Sequence, residues 1–580
     1  MDYYPTFAQV QSLAKTELAP TSHVEKRGRP LLPLSLNILA DLETPVSAYC
    51  KTALGTNPSY QRGMAKASRV GAYSFLLESV AGGEQIARYS FIGIDPYMVM
   101  LHRGETATIY RTHPPGNAQS PVSNSTIEEV PCHDPLALIE AELGQYRIVE
   151  GTGSAQDELP RFHGGAVGYL SYETASRFEH LPVPEHDALD LPLAVFCFTE
   201  TVLVFDHVKH RVRVVTHLHL DAPDLEAEYS RGVAILNDVQ ARLQRPACLP
   251  EEPAPIHDAT ALQVTSNCTP EDFEEMVRRS IDYILAGDVF QVVPSQRLSR
   301  HVNASPFTVY RALRAINPSP YMFYLDMGDF HIVGASPELL VCFEDNEVTI
   351  RPIAGTRPRG IDRQSDQRLA EELKNDPKER AEHIMLIDLA RNDVGRVSVP
   401  GSVRVSELME IERYSHVMHL VSNVSGQLRD DMTPYDALRA GFPAGTVTGA
   451  PKIRAMEIIS ELEGTQRGVY AGAVGYFSHS GKQETAIALR TMVIKNGRAY
   501  IQAGCGVVAD SDPGDEYQES LNKARALLRA LDESERLADE HRCAHRQESG
   551  ASTNPSRQRH FLSTATQSGE TIGGPYVVID

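Results

Sequence analysis

Apolar residues in the first third of the chain occur in short runs separated by turn residues, a pattern typical of strands. The runs at 73–77 and 86–92 flank a Gly-Gly pair, which predicts a hairpin. Runs at 165–172 and 194–205 predict further strands. The spacing changes at 224–243, where apolar residues recur every three to four positions and predict an amphipathic helix.

A helix start stands out after a proline-rich stretch at 246–268. Thr269 suits the N-cap, Pro270 the first helical position and Asp272 the third. Apolar residues then fall on one face until Gly287, so we predict a helix that ends there. A second helix is predicted from Ser305 to the residue before Asn317-Pro318.

The remaining strong pattern is a series of hairpins. The predicted strand pairs are 321–325 with 331–335, 339–344 with 347–353, and 485–494 with 498–503. The last pair flanks Asn496-Gly497, a strong two-residue hairpin signal. Strands joined by hairpins pair antiparallel, so we expect an α+β fold of antiparallel β-sheets with helices outside, not a Rossmann sheet.

Length and composition divide the chain further. A chain of 580 residues with 42% hydrophobic content is too long for one core. We expect an N-terminal domain at 1–245, a linker at 246–268 and a second domain at 269–531. The polar residues 532–580 predict a disordered tail.

Charge and cysteine usage exclude several function classes. The formal net charge of −21 disfavours nucleic acid as a partner, because nucleic-acid binding needs clustered Lys and Arg. The eight cysteines show no zinc-site spacing, which favours reduced thiols and a cytoplasmic location. No apolar run approaches the ~18 residues of a membrane span, so we expect no membrane association.

Two carboxylates share a predicted helix face. Glu516 and Glu519 follow Asp512-Pro513, and their three-residue spacing suits Mg²⁺. The structural alternative is an ordinary surface pair between Glu519 and Lys523, which spacing alone favours. Glu382 likewise lies on an apolar helix stripe and needs a partner, either a metal or an arginine such as Arg380 or Arg391.

Other candidates are weaker when taken singly. Gly355-Thr356 and the glycines at 504 and 506 follow strands and would let an anion approach the backbone. Arg490 lies inside the predicted strand 485–494, where a charge must face solvent or meet a carboxylate. His419 stands among apolar neighbours, where a structural role is the more common one.

The order of several motifs resolves these ambiguities. The strings are SPELL (336–340), PIAGTRPRG (352–360), DLARND (388–393), GTVTGAPK (445–452) and the glycine-rich 504–508. They resemble, in the same order, those of the chorismate-utilising enzymes, most closely the large subunits of anthranilate synthase. The resemblance spans nearly all of 269–531 and reaches the first domain through SFLLES (74–79) and RYSFIG (88–93).

The resemblance implies a fold and a reaction. The fold would be two intertwined domains with antiparallel sheets packed face to face. The reaction would convert chorismate and ammonia to anthranilate and pyruvate, as the first committed step of tryptophan biosynthesis. Glu382 and Glu519 would hold Mg²⁺ on the substrate's ring carboxylate, with Glu516 close enough to help.

The resemblance also assigns roles within the site. Glu338 matches the acid that protonates the departing C4 hydroxyl, His419 matches the histidine of pyruvate elimination, and Thr446 would be catalytic with them. The substrate-binding residues would be Gly355, Thr356, Tyr470, Arg490, Gly504, Cys505 and Gly506, with Arg490 taking the enolpyruvyl carboxylate. Cys505 departs from the small residue usual there, and packing against the substrate is conceivable.

Two positions distinguish reactions within the family. Isochorismate and salicylate synthases carry a lysine where this chain has Gln291, and aminodeoxychorismate synthases carry one where it has Ala354. A site without either lysine resembles one that accepts ammonia. The implied partner is a separate glutamine amidotransferase subunit, in a heterotetramer, since the chain contains no complete amidotransferase domain.

A feedback site is implied as well. Glu78 and Ser79 match the motif that binds tryptophan as an inhibitor, and its other wall would be Pro320, Tyr321 and Met322. A tryptophan-binding regulatory protein with a decayed catalytic site is the main alternative from another class. The joint presence of the catalytic and metal-binding residues argues against it, and Ala354 argues against aminodeoxychorismate synthase.

Overall fold

The structure is a computed structural model that describes residues 3–18, 28–54, 73–79, 88–112, 125–149, 159–256, 258, 260–414 and 417–550. Its α-helices are α1 (Phe7–Glu17), α2 (Pro45–Tyr49), α3 (Pro135–Leu143), α4 (Leu225–Leu243), α5 (Pro270–Ala286), α6 (Pro306–Ile316), α7 (Arg363–Asn375), α8 (Pro377–Val397), α9 (Pro434–Gly441), α10 (Lys452–Glu463) and α11 (Pro513–Gly550). No helix of these ranges is long and apolar enough to cross a membrane.

The strands of the described ranges form two large sheets and one small one. They are β1 (Tyr3–Tyr4), β2 (Arg29–Leu39), β3 (Ser74–Glu78), β4 (Tyr89–Gly93), β5 (Met98–Arg103), β6 (Thr106–Thr112), β7 (Ser125–Pro131), β8 (Tyr146–Ile148), β9 (Gly165–Leu170), β10 (Ala194–Thr199), β11 (Val202–Asp206), β12 (Arg211–His219), β13 (Thr265–Ser266), β14 (Gln291–Val292), β15 (Ser295–His301), β16 (Tyr321–Asp326), β17 (Phe330–Ser336), β18 (Leu339–Glu344), β19 (Glu347–Ile350), β20 (Ile353–Pro358), β21 (Arg404–Arg413), β22 (Val417–Gln427), β23 (Gly449–Ala450), β24 (Ala473–Ser478), β25 (Gln483–Ile487), β26 (Thr491–Lys495) and β27 (Arg498–Gly504).

Both large sheets mix strands from the two sides of the proline-rich stretch. The first has the order β1-β2-β12-β11-β4-β3-β16-β17-β26-β27-β15-β13, and β8 pairs parallel with β2. The second has the order β20-β22-β19-β18-β25-β24-β9-β10-β5-β6-β7, with β21 beside β22. Leu76 in β3 pairs with Tyr324 in β16, and Gly168 in β9 pairs with Gly475 in β24. The expected antiparallel α+β fold is confirmed, and the two parts of the chain are intertwined.

Alternation along β3 shows how the sheet is covered on both faces. Phe75 packs into an aromatic core with Phe162 and Phe323, whereas Leu76 faces the opposite side, where Phe307 and Tyr310 of α6 lie. Successive strand residues point to opposite faces, so one sheet supplies two cores. Burial of a side chain as large as Phe contributes about 1.5–3 kcal/mol.

The predicted helix starts are confirmed in detail. The Thr269 hydroxyl accepts the Asp272 backbone N–H at 3.1 Å, and the Asp272 carboxylate in turn accepts the Thr269 N–H at 3.1 Å. Such caps satisfy N–H groups that the helix leaves unpaired, at about 1 kcal/mol each. The helix α5 ends at Gly287, whose φ of 88° is the left-handed conformation that glycine favours.

Two predicted strands are each two strands. The run 194–205 divides into β10 and β11, and the run 485–494 divides into β25 and β26. In both cases the two halves belong to different sheets. An apolar run that crosses between two buried sheets looks continuous in the sequence, because both ends need apolar side chains.

The prediction of a disordered tail from residue 532 is wrong for 532–550. There α11 continues to Gly550, and Ala538 is buried against the first sheet's core. Arg300 forms ion pairs with Asp532 at 2.7 Å and Glu535 at 3.2 Å, which gives the polar sequence a partner that composition does not reveal. Residues 551–580 lie outside the described residues.

Candidate active site

Most of the predicted site residues come together around a cleft that is lined by Glu338, Thr446 and Leu389 of α8 and lies near α11. They come from the end of β17, from β20 and β22, from the connection between β25 and β26, and from the glycine turn after β27. These segments are far apart in sequence. Sheet pairing fixes them beside one another, as in β20 with β22 and β17 with β26.

Glu338 follows β17 and is held from both sides. Its backbone N–H is bonded to the Ser336 hydroxyl at 3.3 Å, and its carbonyl accepts the Ile487 N–H at 3.1 Å. The Thr446 hydroxyl donates to the carboxylate Oε2 at 3.0 Å. Burial raises the pKa of Glu338, against the lowering effect of Thr446 and Arg490. The group is therefore biased towards the protonated form, as a general acid requires.

Arg490 does not lie within a strand, which corrects the sequence prediction. It occupies the break between β25 and β26 with a φ of 47°, and its carbonyl accepts the Ala335 N–H at 3.1 Å. Its guanidinium has no hydrogen-bond or ion-pair partner among the described residues. Burial lowers the pKa of Arg490, and the nearby Glu338 raises it. An unpaired guanidinium beside a cleft suits the carboxylate of an incoming ligand.

The ring of His419 has a defined orientation. Its Nδ1 lies 2.8 Å from the Gly355 carbonyl and 3.2 Å from the Thr356 hydroxyl. A carbonyl only accepts, so Nδ1 carries the proton of the neutral ring and Nε2 is left as the base. Burial lowers the pKa of His419, which keeps the ring neutral. The ring of Tyr414 packs edge-on against it, with centroids 5.6 Å apart.

Three glycines form the tightest part of the cleft. Gly355 has a φ of +65°, and a β-carbon there would lie 2.8 Å from the Leu373 side chain. A β-carbon on Gly504 would lie 2.4 Å from the Pro294 carbonyl and 3.1 Å from the Tyr470 hydroxyl, and one on Gly506 would lie 2.8 Å from the Gln291 side-chain nitrogen. The absence of side chains at these positions lets these segments of the site pack closely together.

Glu382 approaches two other carboxylates instead of an arginine. Its Oε1 accepts the Gln291 amide at 3.3 Å, and its pKa is raised by burial and by the nearby charges of Glu379 and Glu519. Arg380 and Arg391, the predicted alternatives, bond instead to the Lys374 carbonyl and to Asp388. The salt-bridge interpretation of Glu382 is therefore wrong.

Glu516 and Glu519 lie on one face of α11, as their spacing predicts. Glu519 pairs with Lys523 at 2.8 Å, so the surface-pair alternative is also present. Glu516 accepts the Ser511 hydroxyl at 2.7 Å, and its Oε2 is buried with no hydrogen-bond partner among the described residues. Burial and the neighbouring Glu519 raise its pKa.

This acidic cluster fits a divalent cation that completes its shell elsewhere. Burial and the nearby Glu519 raise the pKa of both Glu382 and Glu516, and one buried Glu516 oxygen has no hydrogen-bond partner among the described residues, so a cation would stabilise these carboxylates. The described residues contain no group of three or more His, Cys, Asp and Glu arranged to hold a metal alone. Mg²⁺ commonly takes one or two carboxylates and obtains its other ligands from substrate and water, so the residues present suit it.

The Cys505 side chain lies between a small apolar core and the acidic cluster. Its side chain is fully buried in a small core with Phe273, Val277 and Ile458, and its thiol lies beside Glu516. Burial raises the pKa of this thiol well above its usual value. The contact between Cys505 and the substrate that the sequence resemblance implies stays a prediction.

Sequence reasoning missed a role for Lys523 in the site. Its ammonium group donates to the Gly504 carbonyl at 3.1 Å and contributes to the electrostatics of Glu338, Glu382 and Tyr470. The sequence signal was its position four residues after Glu519, which we interpreted as a surface contact. Arg467 was also missed, and no spacing in the sequence marks it.

A second candidate site surrounds Glu78 at the end of β3. Arg314 grips the Glu78 carboxylate with two hydrogen bonds of 3.0 and 3.1 Å, and the Tyr310 hydroxyl donates to it as well. The Ser79 hydroxyl and the Asn317 side-chain nitrogen are buried without hydrogen-bond partners in the part of the chain that the structure describes. Two orphaned polar atoms in one region suit a small polar ligand.

Of the three residues predicted to form the other wall of this site, Pro320, Tyr321 and Met322, not all lie on the same face of the sheet as Glu78. Met322 is the cross-strand partner of Glu78 and is buried. Tyr321, one residue earlier, projects to the opposite face, where its hydroxyl helps to stabilise Glu484. Pro320 is buried next to it. The side chain of Tyr321 therefore does not line the region around Glu78.

Comparisons with known proteins agree on one family. Residues 105–529 match the model of a family described as chorismate binding enzyme. The chain is 42% identical over 535 residues to anthranilate synthase component 1 of Acetivibrio thermocellus, covering 92% of this chain and 99% of that protein. It is 46% identical over 504 residues to anthranilate synthase component 1 of Pseudomonas aeruginosa, covering 86% and 95%. The crystal structure of anthranilate synthase component I from Streptococcus pneumoniae TIGR4 superposes with a TM-score of 0.65 at 36% identity, covering 87% of this chain and 100% of that one.

Proposed function

The chain belongs to the family of chorismate binding enzymes, and we propose that it catalyses the anthranilate synthase reaction of its relatives, converting chorismate and ammonia to anthranilate and pyruvate. One observation carries the proposal. An unpaired guanidinium, Arg490, lies beside a carboxyl, Glu338, whose pKa is raised by burial. Chorismate offers a matching pair of groups, a carboxylate on its enolpyruvyl arm and a hydroxyl at C4.

The first step is displacement at the ring. Arg490 binds the enolpyruvyl carboxylate, and the glycine turn at 504–506 lets the ring lie against Tyr470. The protonated Glu338 donates to the C4 oxygen as the C4–O bond breaks, so the group departs as water. Ammonia adds to C2 as both ring double bonds shift by one position towards C4, where the C4–O bonding pair leaves with the oxygen. The ammonium group formed at C2 then loses a proton to solvent and becomes an amine.

Residues near C2 support ammonia as the nucleophile. Gln291 occupies the position where isochorismate and salicylate synthases have a lysine that activates water. Ala354 occupies the position where aminodeoxychorismate synthases have a lysine. The Gln291 amide is hydrogen-bonded to Glu382 at 3.3 Å, and Ala354 is buried opposite Leu420 in β22. Neither side chain is a base. Neutral ammonia needs none to attack, whereas water does.

The second step is elimination. His419 holds a proton on Nδ1, so its Nε2 is free to accept the C2 proton. As that proton leaves, the bond between C3 and the enolpyruvyl oxygen breaks. The electrons of the C2–H bond form the third ring double bond, so the ring becomes aromatic. The enolate of pyruvate departs and takes up a proton on its CH2 carbon to give pyruvate. A His419 that stays neutral near pH 7 is the form of the base that this step needs.

Glu382 and Glu519, helped by Glu516, are the residues that would hold Mg²⁺. A bound Mg²⁺ would supply positive charge for the ring carboxylate of chorismate. The support is that burial and the nearby Glu519 raise the pKa of both Glu382 and Glu516, and that one buried Glu516 oxygen has no hydrogen-bond partner among the described residues. Lys523 pairs directly with Glu519 and also lowers the pKa of Glu382 and of Glu516, but burial has the larger effect on both.

The ammonia source and the regulator belong to the same proposal. A separate glutamine amidotransferase subunit supplies ammonia to the site in a heterotetramer. Tryptophan binds at Glu78 and Ser79, with Met322 and the backbone of Pro320 and Tyr321 nearby. Because that region joins β3 to β16, a ligand there acts on the contact between the two parts of the chain.

The test uses the purified full chain with chorismate, Mg²⁺ and an ammonium salt. We expect the fluorescence of anthranilate to appear, to require Mg²⁺, and to be absent with glutamine as the sole nitrogen source until an amidotransferase subunit is added. A sample that binds chorismate but forms no anthranilate would overturn the proposal. Formation of isochorismate or aminodeoxychorismate instead would identify a different member of the family.

A further inference from the structure

Arg467 is a buried charge that the reaction described above does not use. It precedes Gly468 in the segment between α10 and β24, and it is only 1% exposed, the first among the largest fully buried side chains. Burial of a guanidinium costs several kcal/mol unless its donors are all satisfied. Its donors are satisfied here by acceptors from three separate segments.

The guanidinium of Arg467 donates four hydrogen bonds. Its Nε and Nη2 grip Glu463 at 2.9 and 2.5 Å, its Nη1 donates to the Val447 carbonyl at 2.9 Å, and its Nη2 donates to the Val293 carbonyl at 2.6 Å. The guanidinium carbon also lies over two aromatic rings, 4.7 Å from the Tyr172 centroid and 5.5 Å from the Tyr470 centroid. A planar, five-donor group is needed to span these partners.

Three of these contacts, with Val447, Val293 and Tyr470, connect Arg467 to the candidate active site. Val447 follows Thr446, whose hydroxyl bonds to Glu338. The ring of Tyr470 is itself part of the site and lies next to Gly504. Val293 precedes Pro294, whose carbonyl accepts the Cys505 N–H at 3.2 Å in the glycine turn.

Glu463 reaches the same turn by a second path. Its Oε1 accepts both the backbone N–H and the hydroxyl of Ser295 at 2.8 Å, and Ser295 pairs with Gly504 across β15 and β27. The pair of Arg467 and Glu463 therefore contacts the acid loop, the aromatic wall and the glycine turn at once.

We propose that Arg467, oriented by Glu463, is a positioning residue that sets the distance between the Glu338–Thr446 acid and the Tyr470–Gly504 surface on which the substrate lies. The inference rests on the proposed function, because the acid and that surface are assigned there. A buried ion pair is weak evidence for stability, since apolar residues of similar volume often stabilise as well. The convergence of its bonds on three segments of one cleft is what favours a role in geometry.

The decisive variant is Arg467→Lys. Lysine keeps the positive charge beside Glu463 but has one nitrogen and cannot bond Val447 and Val293 in the same plane. We expect kcat to fall on the order of 100-fold, because misplacement by about 1 Å has that effect on an aligned reaction. The KM for chorismate should change much less. The alkaline limb of the kcat profile should also move to higher pH, since a displaced Thr446 stabilises the Glu338 carboxylate less.

Arg300→Lys is the matched control. Arg300 is also buried, and its ion-pair partners are Asp532 and Glu535 in α11. We expect this variant to have a lower melting temperature than the wild type. Its kcat should stay within twofold of the wild-type value, and the alkaline limb of its kcat profile should stay at the same pH. The decrease in stability of Arg300→Lys measures the effect of a buried Arg-to-Lys change when the hydrogen bonds of Arg467 are intact.

Glu463→Gln covers the case in which Arg467→Lys does not fold. The amide oxygen can still accept hydrogen bonds from Ser295, but the two hydrogen bonds between residue 463 and Arg467 are no longer those of an ion pair. We therefore expect kcat to fall, by a smaller factor than in Arg467→Lys. The inference is overturned if the folded variants keep the wild-type kcat and pH profile and lose only stability. Failure of the proposed function is distinguishable, because the wild-type chain itself would then form no anthranilate.

Discussion

The Thr446 hydroxyl donates a hydrogen bond of 3.0 Å to the carboxylate of Glu338, across 108 positions of sequence. The bond favours the charged form of Glu338, while burial favours the neutral form and has the larger effect. Thr446 therefore tunes the acid downward from the value that burial alone would give. The opposing effects of burial and of the Thr446 hydrogen bond on the pKa of Glu338 can be tested without removing Glu338 itself.

We predict that Thr446→Val moves the alkaline limb of the kcat profile to higher pH. Loss of the hydroxyl removes a bond to the carboxylate, so the Glu338 pKa rises and the acid stays protonated further into alkaline solution. The profile is measured with ammonium as substrate and corrected for the free ammonia fraction. The comparison variant Glu338→Gln should lose the limb altogether, together with about 10²–10⁴-fold of kcat. A limb that stays in place in Thr446→Val would mean that another group titrates.

Local signals in the sequence were sufficient for elements with their own caps and turns. The box at Thr269 and Asp272 and the hairpin at Asn496-Gly497 need only neighbouring residues to form, and both are present. The break at Arg490 could not be predicted, because it arises where a chain leaves one sheet for another. The continuation of α11 depends on Arg300, more than 200 positions away, so composition alone gave the wrong answer.

The candidate site divides in the same way. The shared face of Glu516 and Glu519 follows from helical spacing alone. Their approach to Glu382 required the fold, since two helices far apart in sequence must meet. The burial of the Cys505 side chain depends on packing against α5 and α10, which no motif records.

We predict that Glu382→Gln and Glu519→Gln each raise the Mg²⁺ concentration for half-maximal activity by at least about 10-fold. An amide keeps the shape of the side chain but removes the charge that a hard cation prefers. Glu516→Gln should have a smaller effect, because its carboxylate is further engaged by Ser511. Calorimetric titration of Mg²⁺ in the presence of chorismate gives the affinity independently of turnover.

Asp515→Asn is the control for the metal variants. It removes one negative charge from the same turn of α11, at an exposed position. Its Mg²⁺ dependence should match that of the wild type. An equal shift in this variant would indicate that only the overall charge of α11 matters, and that Glu382 and Glu519 are not ligands.

Ser79→Phe should relieve inhibition by tryptophan while sparing uninhibited activity. The Ser79 hydroxyl is buried without a partner among the described residues, so a ring at this position fills the space a ligand would take. We expect the inhibition constant to rise at least about 10-fold, with kcat within twofold, since the residue lies outside the catalytic cleft. Inhibition curves with and without the change provide the measurement, and an unchanged inhibition constant removes Glu78 and Ser79 from the regulatory site.

A cluster of buried histidines predicts how stability depends on pH. His479 has both ring nitrogens buried without hydrogen-bond partners among the described residues, and its ring lies 5.4 Å from that of His217. His163 bonds to His217 at 3.1 Å, and His219 lies nearby. Burial holds the pKa of His479 well below its usual value and lowers the pKa of His163 to about 3.

These histidines destabilise the fold in acid. Burial lowers the pKa of His163, His217 and His479 in the folded chain, whereas in the unfolded chain they take up protons below about pH 6.5. The unfolded state therefore binds more protons, and stability falls as pH falls. Each such group contributes up to about 1.4 kcal/mol per pH unit below that value. His479→Phe keeps an aromatic ring and removes one of these groups, so its advantage in unfolding free energy over the wild type should grow as pH is lowered from 7 to 5. Urea titrations at several pH values measure this difference, with His180→Gln, an exposed histidine, as the control. Parallel stability curves for His479→Phe and the wild type would mean that the His479 ring is protonated in the folded chain.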